Sequence, residues 1–212
     1  MDTTRWRPLA ISFKAALFVL LAIALLFPEW DRFADKAMGT RALAYPAAVM
    51  LVAAIWALRR RRAPYPWDLD ALLTAPFLVD VAGNAADLYD TVEWFDDACH
   101  YGNWALLTAA AGLSLRRWSP LPAWALALTC TGIGAITAIL WEFAEYAIFI
   151  LDTPESVSIY RDTIGDLMLG LLGAATAALA TAARSRKTAA DVAERRDATR
   201  GDLVGAESAL AP

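Results

Sequence analysis

Long apolar segments alternate with short polar segments over most of the chain. Most of the apolar segments approach or exceed the roughly 20 residues that a helix needs to cross the hydrocarbon core of a bilayer. The pattern predicts an all-α integral membrane protein, a helical bundle with about six transmembrane helices, at residues 9–27, 42–58, 69–89, 98–115, 121–151 and 164–183.

The third predicted span is the weakest, because Asp80, Asn84 and Asp87 interrupt it and Pro76 removes a backbone hydrogen-bond donor. Such groups are tolerated in a membrane only where neighbouring helices or water satisfy them. Five spans is therefore the main alternative to six.

The two ends of the chain differ in composition. Residues 1–186 are expected to form the transmembrane domain, whose first span is interpreted as an uncleaved anchor because no small-residue cleavage site follows Leu26. Residues 187–212 mix Ala, Asp, Glu and Arg without a sustained apolar face. We expect this segment to be a disordered cytoplasmic tail.

Lysine and arginine are concentrated on one side of the predicted bundle. With six spans, the side that carries both termini holds Arg5, Arg7, Arg59 to Arg62, Arg116, Arg117, Arg184, Arg186 and Lys187. The opposite side holds only Arg32, Lys36, Arg41 and Arg161. Because basic loops stay in the cytoplasm when a membrane protein inserts, both termini are predicted to be cytoplasmic.

The overall composition narrows the class of protein. Hydrophobic residues make up 58% of the 212 residues and the mean hydropathy is +0.41, which is well above the values of soluble domains. The chain has 2 cysteines and a formal net charge of −4. These values exclude a nucleic-acid-binding protein and a disulfide scaffold, and they make membrane lipid the expected partner.

Polar residues inside the predicted spans are the candidates for chemistry. Asp80, Asn84 and Asp87 are spaced i, i+4, i+7, which predicts one supporting polar stripe on the third helix. At the start of the fourth span, Asp96 lies one helical turn before His100, the only histidine of the chain.

Two further acidic pairs follow. Glu142 and Glu145 are spaced i, i+3 inside the fifth span, and Asp162 and Asp166 are spaced i, i+4 at the start of the sixth. Either spacing puts both members of a pair on one face of a helix.

Depth in the membrane predicts that these groups meet. At about 1.5 Å per residue, His100, Glu145 and Asp166 each lie roughly 6 to 9 Å inside the outer ends of their helices. They therefore converge on one outward-facing layer. Gly170 and Gly173 continue nearly the same face of the sixth helix and would allow a neighbouring helix to approach closely.

Buried carboxylates need compensation, because a charge at the centre of a membrane helix costs roughly 2.5 to 3.5 kcal/mol. A metal, shared protons, a water-filled cavity or basic partners would supply it, and Arg161 is the only basic residue near the cluster in sequence. An oxygen-rich set with one imidazole suits Mg²⁺, Mn²⁺, Ca²⁺ or Fe²⁺ better than Zn²⁺. The predicted ligands of this divalent metal are Asp96, His100, Glu142, Glu145, Asp162 and Asp166.

Some of these residues also have simpler explanations. Asp96 could be a first-turn acid stabilised by the helix dipole, and Thr163 with Asp166 has the form of a capping box. The stripe on the third helix could provide interhelical hydrogen bonds. Glu142 and Glu145 have no such explanation, because they lie far inside the longest apolar segment.

The motifs of the last three predicted spans resemble those of the YjdF-like family of bacterial inner-membrane proteins, over residues 89–180. More loosely, they are similar to the VanZ-like family. The motifs are Asp-x-x-x-His from Asp96 to His100, Glu-x-x-Glu from Glu142 to Glu145, and Asp-Thr-x-x-Asp from Asp162 to Asp166. The resemblance implies a multi-pass protein of the bacterial cytoplasmic (inner) membrane. The YjdF-like family has no established activity, whereas some VanZ-like proteins affect sensitivity to antibiotics that target the cell envelope.

Three functions are consistent with these patterns. The first is a metal-dependent enzyme that acts at the outer leaflet on a lipid or lipid-linked envelope precursor, with His100 and Glu142 as catalytic candidates. The second is a transporter in which the same acids carry a cation or protons, although no inverted repeat is visible. The third is a non-catalytic membrane scaffold in which the polar groups only fix helix packing.

Overall fold

The structure is a computed structural model that describes residues 3–59, 63–119, 121–151, 156 and 159–210, and the regular elements of this part are all helical. A 3-10 turn at Thr4–Trp6 precedes the first helix. The helices are α1 Arg7–Leu26, α2 Met38–Val49, α3 Leu51–Leu58, α4 Trp67–Ala85, α5 Leu88–Thr91, α6 Phe95–Trp118, α7 Ala123–Glu145 with a π-helical turn at Tyr146–Ile150, and α8 Tyr160–Leu210. The predicted all-α class is confirmed.

The long helices pack in two groups that meet at one interface. α4 packs against α1 and α2, and α6 packs against α7 and α8. Contact between α4 and α6 joins the two groups, so these two helices form the centre of the bundle. The end of the bundle where α4 starts and α6 finishes is called the Arg117 end below, and the opposite end is called the His100 end.

Among the described residues, four helical segments are long and apolar enough to cross a membrane by length and composition: Thr4–Leu26, Met38–Leu58, Ala123–Ile148 and Tyr160–Asp191. Their outer surfaces expose large apolar side chains, among them Leu43, Leu128, Phe143 and Leu179, each of which is more than half exposed. A soluble protein would bury such side chains. The chain is therefore a membrane protein with several apolar helices.

α4 and α6 correspond to the third and fourth predicted spans, but they are less apolar than the other four segments. They contain 19 and 24 residues, enough for roughly 28 and 36 Å of helix. α4 buries Asp68, Asp70 and Asn84, and α6 buries His100 and Thr108. Polar side chains fit here because α4 and α6 face other helices rather than lipid.

Two boundaries differ from the prediction. The third span was expected to reach residue 89, but α4 ends at Ala85, and Asp87 has a left-handed backbone with φ of 61°. The second span was expected to be continuous over 42–58, but it is divided at Met50 into α2 and α3. Pro46 inside α2 lacks an N–H group and so weakens the helix just before the break.

The last helix is longer than predicted at both ends. α8 begins at Tyr160, and the N–H of Thr163 already bonds the carbonyl of Ile159, so Thr163 and Asp166 lie inside the helix. The capping-box interpretation of Thr163 is therefore wrong. α8 also continues to Leu210, where a disordered tail was expected from residue 187. The repeated Ala residues of this segment, together with its Arg residues, favour helix.

Candidate carboxylate–histidine site

His100 lies at the centre of the candidate site, one turn inside α6. Its Nε2 is 3.7 Å from Oδ2 of Asp96, which belongs to the first turn of the same helix. The same Nε2 is 3.7 Å from Oδ1 of Asp166 on α8, and Nδ1 is 3.6 Å from Oε1 of Glu142 on α7. Carboxylates of three helices thus surround one imidazole.

Close packing of α6 and α8 brings Asp166 to His100. A Cβ atom added at Gly173 would overlap the carbonyl oxygen of Tyr101, and one added at Gly170 would lie 2.7 Å from the Trp104 ring. The predicted close approach at these two glycines is confirmed. Asp166 is one turn before Gly170, so it shares the face that contacts α6.

The site residues are buried in the interior of the bundle. His100 and Glu142 are each 7% exposed and Asp166 is 5% exposed, whereas the neighbouring Phe143 is 67% exposed. α7 therefore turns Glu142 inward and Phe143 outward. Burial of this kind removes the water that would otherwise solvate a carboxylate.

Three buried atoms of the site have no hydrogen-bond partner among the described residues: Nδ1 of His100, Oε1 of Glu142 and Oε2 of Glu145. The separation of 3.6 Å between Nδ1 and Oε1 is longer than a hydrogen bond. Unpaired buried polar atoms are uncommon because each costs free energy. Among these atoms, Oε1 of Glu142 is the one that faces Nδ1 of the imidazole.

Two sets of donor atoms are close enough to share a metal ion. One contains Asp96, His100 and Asp166, and the other contains His100, Glu142 and Glu145; within each set the ligand atoms lie within 4.8 Å of one another. Nitrogen and carboxylate oxygen are suitable ligands for several divalent cations. Asp162, which was predicted as a further ligand, is exposed one turn before Asp166 and belongs to neither set.

Two residues of the predicted stripe, Asp80 and Asn84, line the same cavity as Asp96 and His100, and hydrogen bonds hold them there. Oδ2 of Asp80 accepts hydrogen bonds from Nε of Arg41 at 2.7 Å and from the Tyr45 hydroxyl at 2.5 Å. Nδ2 of Asn84 donates to the backbone carbonyl of Asp80 at 2.9 Å and lies 3.3 Å from its Oδ1.

Asp87 lies outside α4, with its carboxylate 3.8 Å from Lys36. Its left-handed backbone removes it from the helical spacing on which the predicted stripe depends. The stripe is therefore wrong for Asp87, and the other two residues belong to a structural network around Asp80.

Two further acids with basic partners lie at the Arg117 end. Oδ1 of Asp70 accepts a hydrogen bond from Lys14 at 2.6 Å, and Asp68 pairs with Arg117. Sequence reasoning did not find these pairs, because the partners are 56 and 49 residues apart. The available signal was Lys14, a cation inside an apolar segment.

The two kinds of buried acid differ in their partners. Asp68, Asp70 and Asp80 each pair with Lys or Arg, whereas Asp96, Glu142 and Asp166 each have the imidazole of His100 as their basic neighbour. The first kind is explained by helix packing. The second kind is grouped around the one imidazole, and Arg41 lines the cavity beside it.

A cavity of about 470 Å³ lies beside the cluster, between α2, α4, α6 and α7. Asp96, His100 and Glu145 contribute to its polar wall. Leu107 and Leu140 contribute to its apolar wall. Its volume is in the range of small-molecule sites, and the combination of walls suits an amphiphilic ligand.

Fold and site together define a helical membrane protein with a buried cluster of carboxylates around one histidine. The chain belongs to the family described as predicted membrane protein (DUF2238), which matches residues 13–187. This membership is consistent with the resemblance to the YjdF-like family and gives no support to the resemblance to the VanZ-like family. No curated protein and no solved structure matches the chain.

Proposed function

We propose that this protein binds a divalent cation at His100, Glu142 and Glu145, with Asp96 and Asp166 orienting the imidazole, and uses the cation to act on a lipid or lipid-linked envelope precursor. The observation that carries the proposal is that His100, Glu142 and Glu145 form one set of close donor groups and each has a buried polar atom without a hydrogen-bond partner among the described residues. A cation among them would satisfy all three at once. Mg²⁺, Mn²⁺, Ca²⁺ and Fe²⁺ are the preferred candidates for this donor set.

The cation would bind at the Nδ1 edge, held by His100, Glu142 and Glu145. One imidazole cannot direct both ring nitrogens at the same ion. With Nδ1 bound to the ion, the Nε2–H group would donate to Asp96 or Asp166, whose carboxylates are both 3.7 Å away. Such a carboxylate fixes the orientation of a metal-binding imidazole.

The cavity beside the cluster supports a substrate with a polar head and an apolar tail. A bound divalent ion would polarise a phosphoryl or carbonyl oxygen or activate water. Asp96 also lines this cavity, which puts it in position to accept a proton from the attacking group. His100 and Glu142 are the residues on which the reaction would depend most.

The proposed membrane arrangement has six spans: α1, α2 with α3, α4, α6, α7 and α8. Its support is the length of α4 and α6 and their central position among the apolar helices. The distribution of Lys and Arg supports cytoplasmic termini in the inner membrane of a bacterium. The cluster then faces the outer leaflet.

Cysteine labelling in intact cells tests this arrangement. In a variant without Cys99 and Cys130, Glu93→Cys is expected to react with a membrane-impermeant maleimide, and Arg184→Cys is expected to react only after lysis. Both native residues are exposed. Labelling of Arg184→Cys in intact cells would contradict the proposed orientation.

The cation is tested by metal analysis of the detergent-purified protein, combined with Mn²⁺ titration followed by electron paramagnetic resonance. We expect one high-affinity Mn²⁺ in the wild type and none in Glu142→Gln or His100→Ala. Asp97→Asn is the matched control, because Asp97 is next to Asp96 but is exposed. Equal Mn²⁺ binding by Glu142→Gln and the wild type would contradict the proposal.

Cation transport is a second candidate, favoured by one observation. A larger apolar groove shares Leu73 and Leu107 with the cavity, so the two spaces lie end to end along the interface of α4 and α6. Uptake of Mn²⁺ into vesicles containing the protein would favour transport. Widening the shared wall with Leu107→Ala would then increase the rate, whereas an enzyme would move no ion.

A further inference from the structure

A groove of about 880 Å³ lies between α3, α4 and α6 at the Arg117 end, away from the carboxylate–histidine site. Its walls are mostly apolar and include Leu51, Ile55, Leu73 and Leu107. Polar and aromatic side chains, among them Arg59 and Trp118, line the mouth.

α2 and α3 differ in how closely they pack against the rest of the bundle. Before the break, α2 buries Met38, Tyr45 and Val49. After it, α3 has no buried residue, although it contains eight residues of apolar sequence. The space between α3 and the central helices is therefore not filled by side chains of the described chain.

The length of the groove corresponds to one leaflet of a bilayer. Leu107 at its deep end and Trp118 at its mouth are eleven residues apart on α6, or about 16 Å. Half of a hydrocarbon core is about 15 Å. An acyl chain that enters from the interface would thus fill the groove to its end.

The mouth of the groove has the chemistry of a headgroup site. The guanidinium of Arg59 lies 4.9 Å from the centroid of the Trp118 ring, and no carboxylate pairs with Arg59 in the described part of the chain. Arg117, in contrast, is already paired with Asp68. Tryptophan and arginine at this level of a membrane favour an anionic headgroup.

We propose that this groove binds one anionic phospholipid, with an acyl chain between α3, α4 and α6 and the phosphate at Arg59. Charge complementarity selects this occupant over a zwitterionic lipid, because Arg59 adds a positive charge that no described carboxylate neutralises. Apolar walls exclude water as the filling, since water needs several polar partners.

The test is native mass spectrometry of the delipidated full-length protein, titrated with phosphatidylglycerol and phosphatidylcholine that carry the same acyl chains. We expect a one-to-one adduct with phosphatidylglycerol that is about fivefold tighter than the adduct with phosphatidylcholine. Arg59→Gln is expected to remove this preference, and Arg184→Gln, which changes an exposed arginine elsewhere, is expected to retain it.

A second variant tests whether the apolar walls of the groove bind the acyl chain. Ala111→Phe puts a ring into the groove and is expected to weaken binding of both lipids at least tenfold. Equal affinity of the wild type for the two lipids would overturn the proposal, and so would an unchanged preference in Arg59→Gln. Arg59 is exposed, so its replacement leaves the fold intact and the result interpretable.

Discussion

Nδ1 of His100 lies 3.6 Å from Oε1 of Glu142, and both atoms are buried without a hydrogen-bond partner among the described residues. Two ligands of one ion, each about 2.1 Å from it, are separated by about 3.0 to 3.5 Å. The observed separation is close to this value and longer than a hydrogen bond. A shift of a few tenths of an ångström would let both atoms hold one cation.

Metal binding is expected to stabilise the folded protein. At a free Mn²⁺ concentration about 100 times the dissociation constant, the linked gain is about 2.7 kcal/mol. For a chain of this size that corresponds to a rise of roughly 5 to 10 °C in Tm. The measurement is thermal unfolding in detergent with and without Mn²⁺.

The same measurement on variants identifies the ligands. Glu142→Gln and His100→Ala should lose the rise in Tm, and Asp97→Asn should retain it. A chelator should lower the Tm of the metal-loaded wild type to that of the metal-free wild type. A rise that persists in Glu142→Gln would assign the bound ion to a different place.

Replacing a buried acid that has a basic partner should lower the stability of the protein, whereas replacing an unpaired buried acid should not. Asp80→Asn leaves Arg41 buried without its carboxylate, and such a loss costs about 3 to 5 kcal/mol. Glu142→Gln removes an unpaired carboxylate, so without metal its stability should equal or exceed that of the wild type.

Denaturant unfolding of both variants in metal-free detergent solution makes the comparison. Asn at position 80 has the size of Asp and changes only the charge. If Glu142→Gln were the more destabilised variant, Glu142 would have a packing role and the distinction between the two kinds of acid would fail.

Much of the fold could be predicted from the sequence because a membrane-spanning helix depends on local composition. α1, α7 and the apolar part of α8 lie where the apolar segments indicated. The break at Met50 and the end of α4 at Ala85 depend on backbone geometry near Pro46 and Asp87. Hydropathy does not report that geometry.

The candidate site was partly predictable for a similar reason. Helix rise fixes depth, and so the common layer of His100, Glu145 and Asp166 follows from residue numbers alone. The rotation of each helix about its axis does not follow from them. Arg41 was therefore not identified as the partner of Asp80, which is 39 residues away on a different helix.

Asp90, outside the membrane-spanning helices, should contribute a small pH-dependent term to stability. Its hydrogen bond from Lys36 lowers the pKa of the carboxyl group from its ordinary value. Folding thus favours the ionised form, so the contribution is present above about pH 4 and is lost as the pH falls through the folded-state pKa. Because Asp90 is exposed, about 0.2 to 1 kcal/mol is expected.

The check is the difference in unfolding free energy between the wild type and Asp90→Asn. It should favour the wild type at pH 7 and approach zero at pH 3. Because exposed charges are screened by salt, 1 M NaCl should also reduce it. A difference that is equal at both pH values would contradict the role of the ion pair.

The contact of α6 with α8 should determine both the stability of the protein and the affinity of the site for Mn²⁺. Gly173→Ala adds a Cβ that would overlap the carbonyl of Tyr101, so the two helices must separate, at a cost of about 1 to 3 kcal/mol. Gly165→Ala is the matched control, because a Cβ there meets no atom within 4 Å. Since α8 carries Asp166, the separation should also weaken Mn²⁺ binding in Gly173→Ala and leave Gly165→Ala like the wild type. The measurements are denaturant unfolding and Mn²⁺ titration of the two variants. Tight Mn²⁺ binding by a destabilised Gly173→Ala would show that cation binding does not depend on the α6–α8 contact.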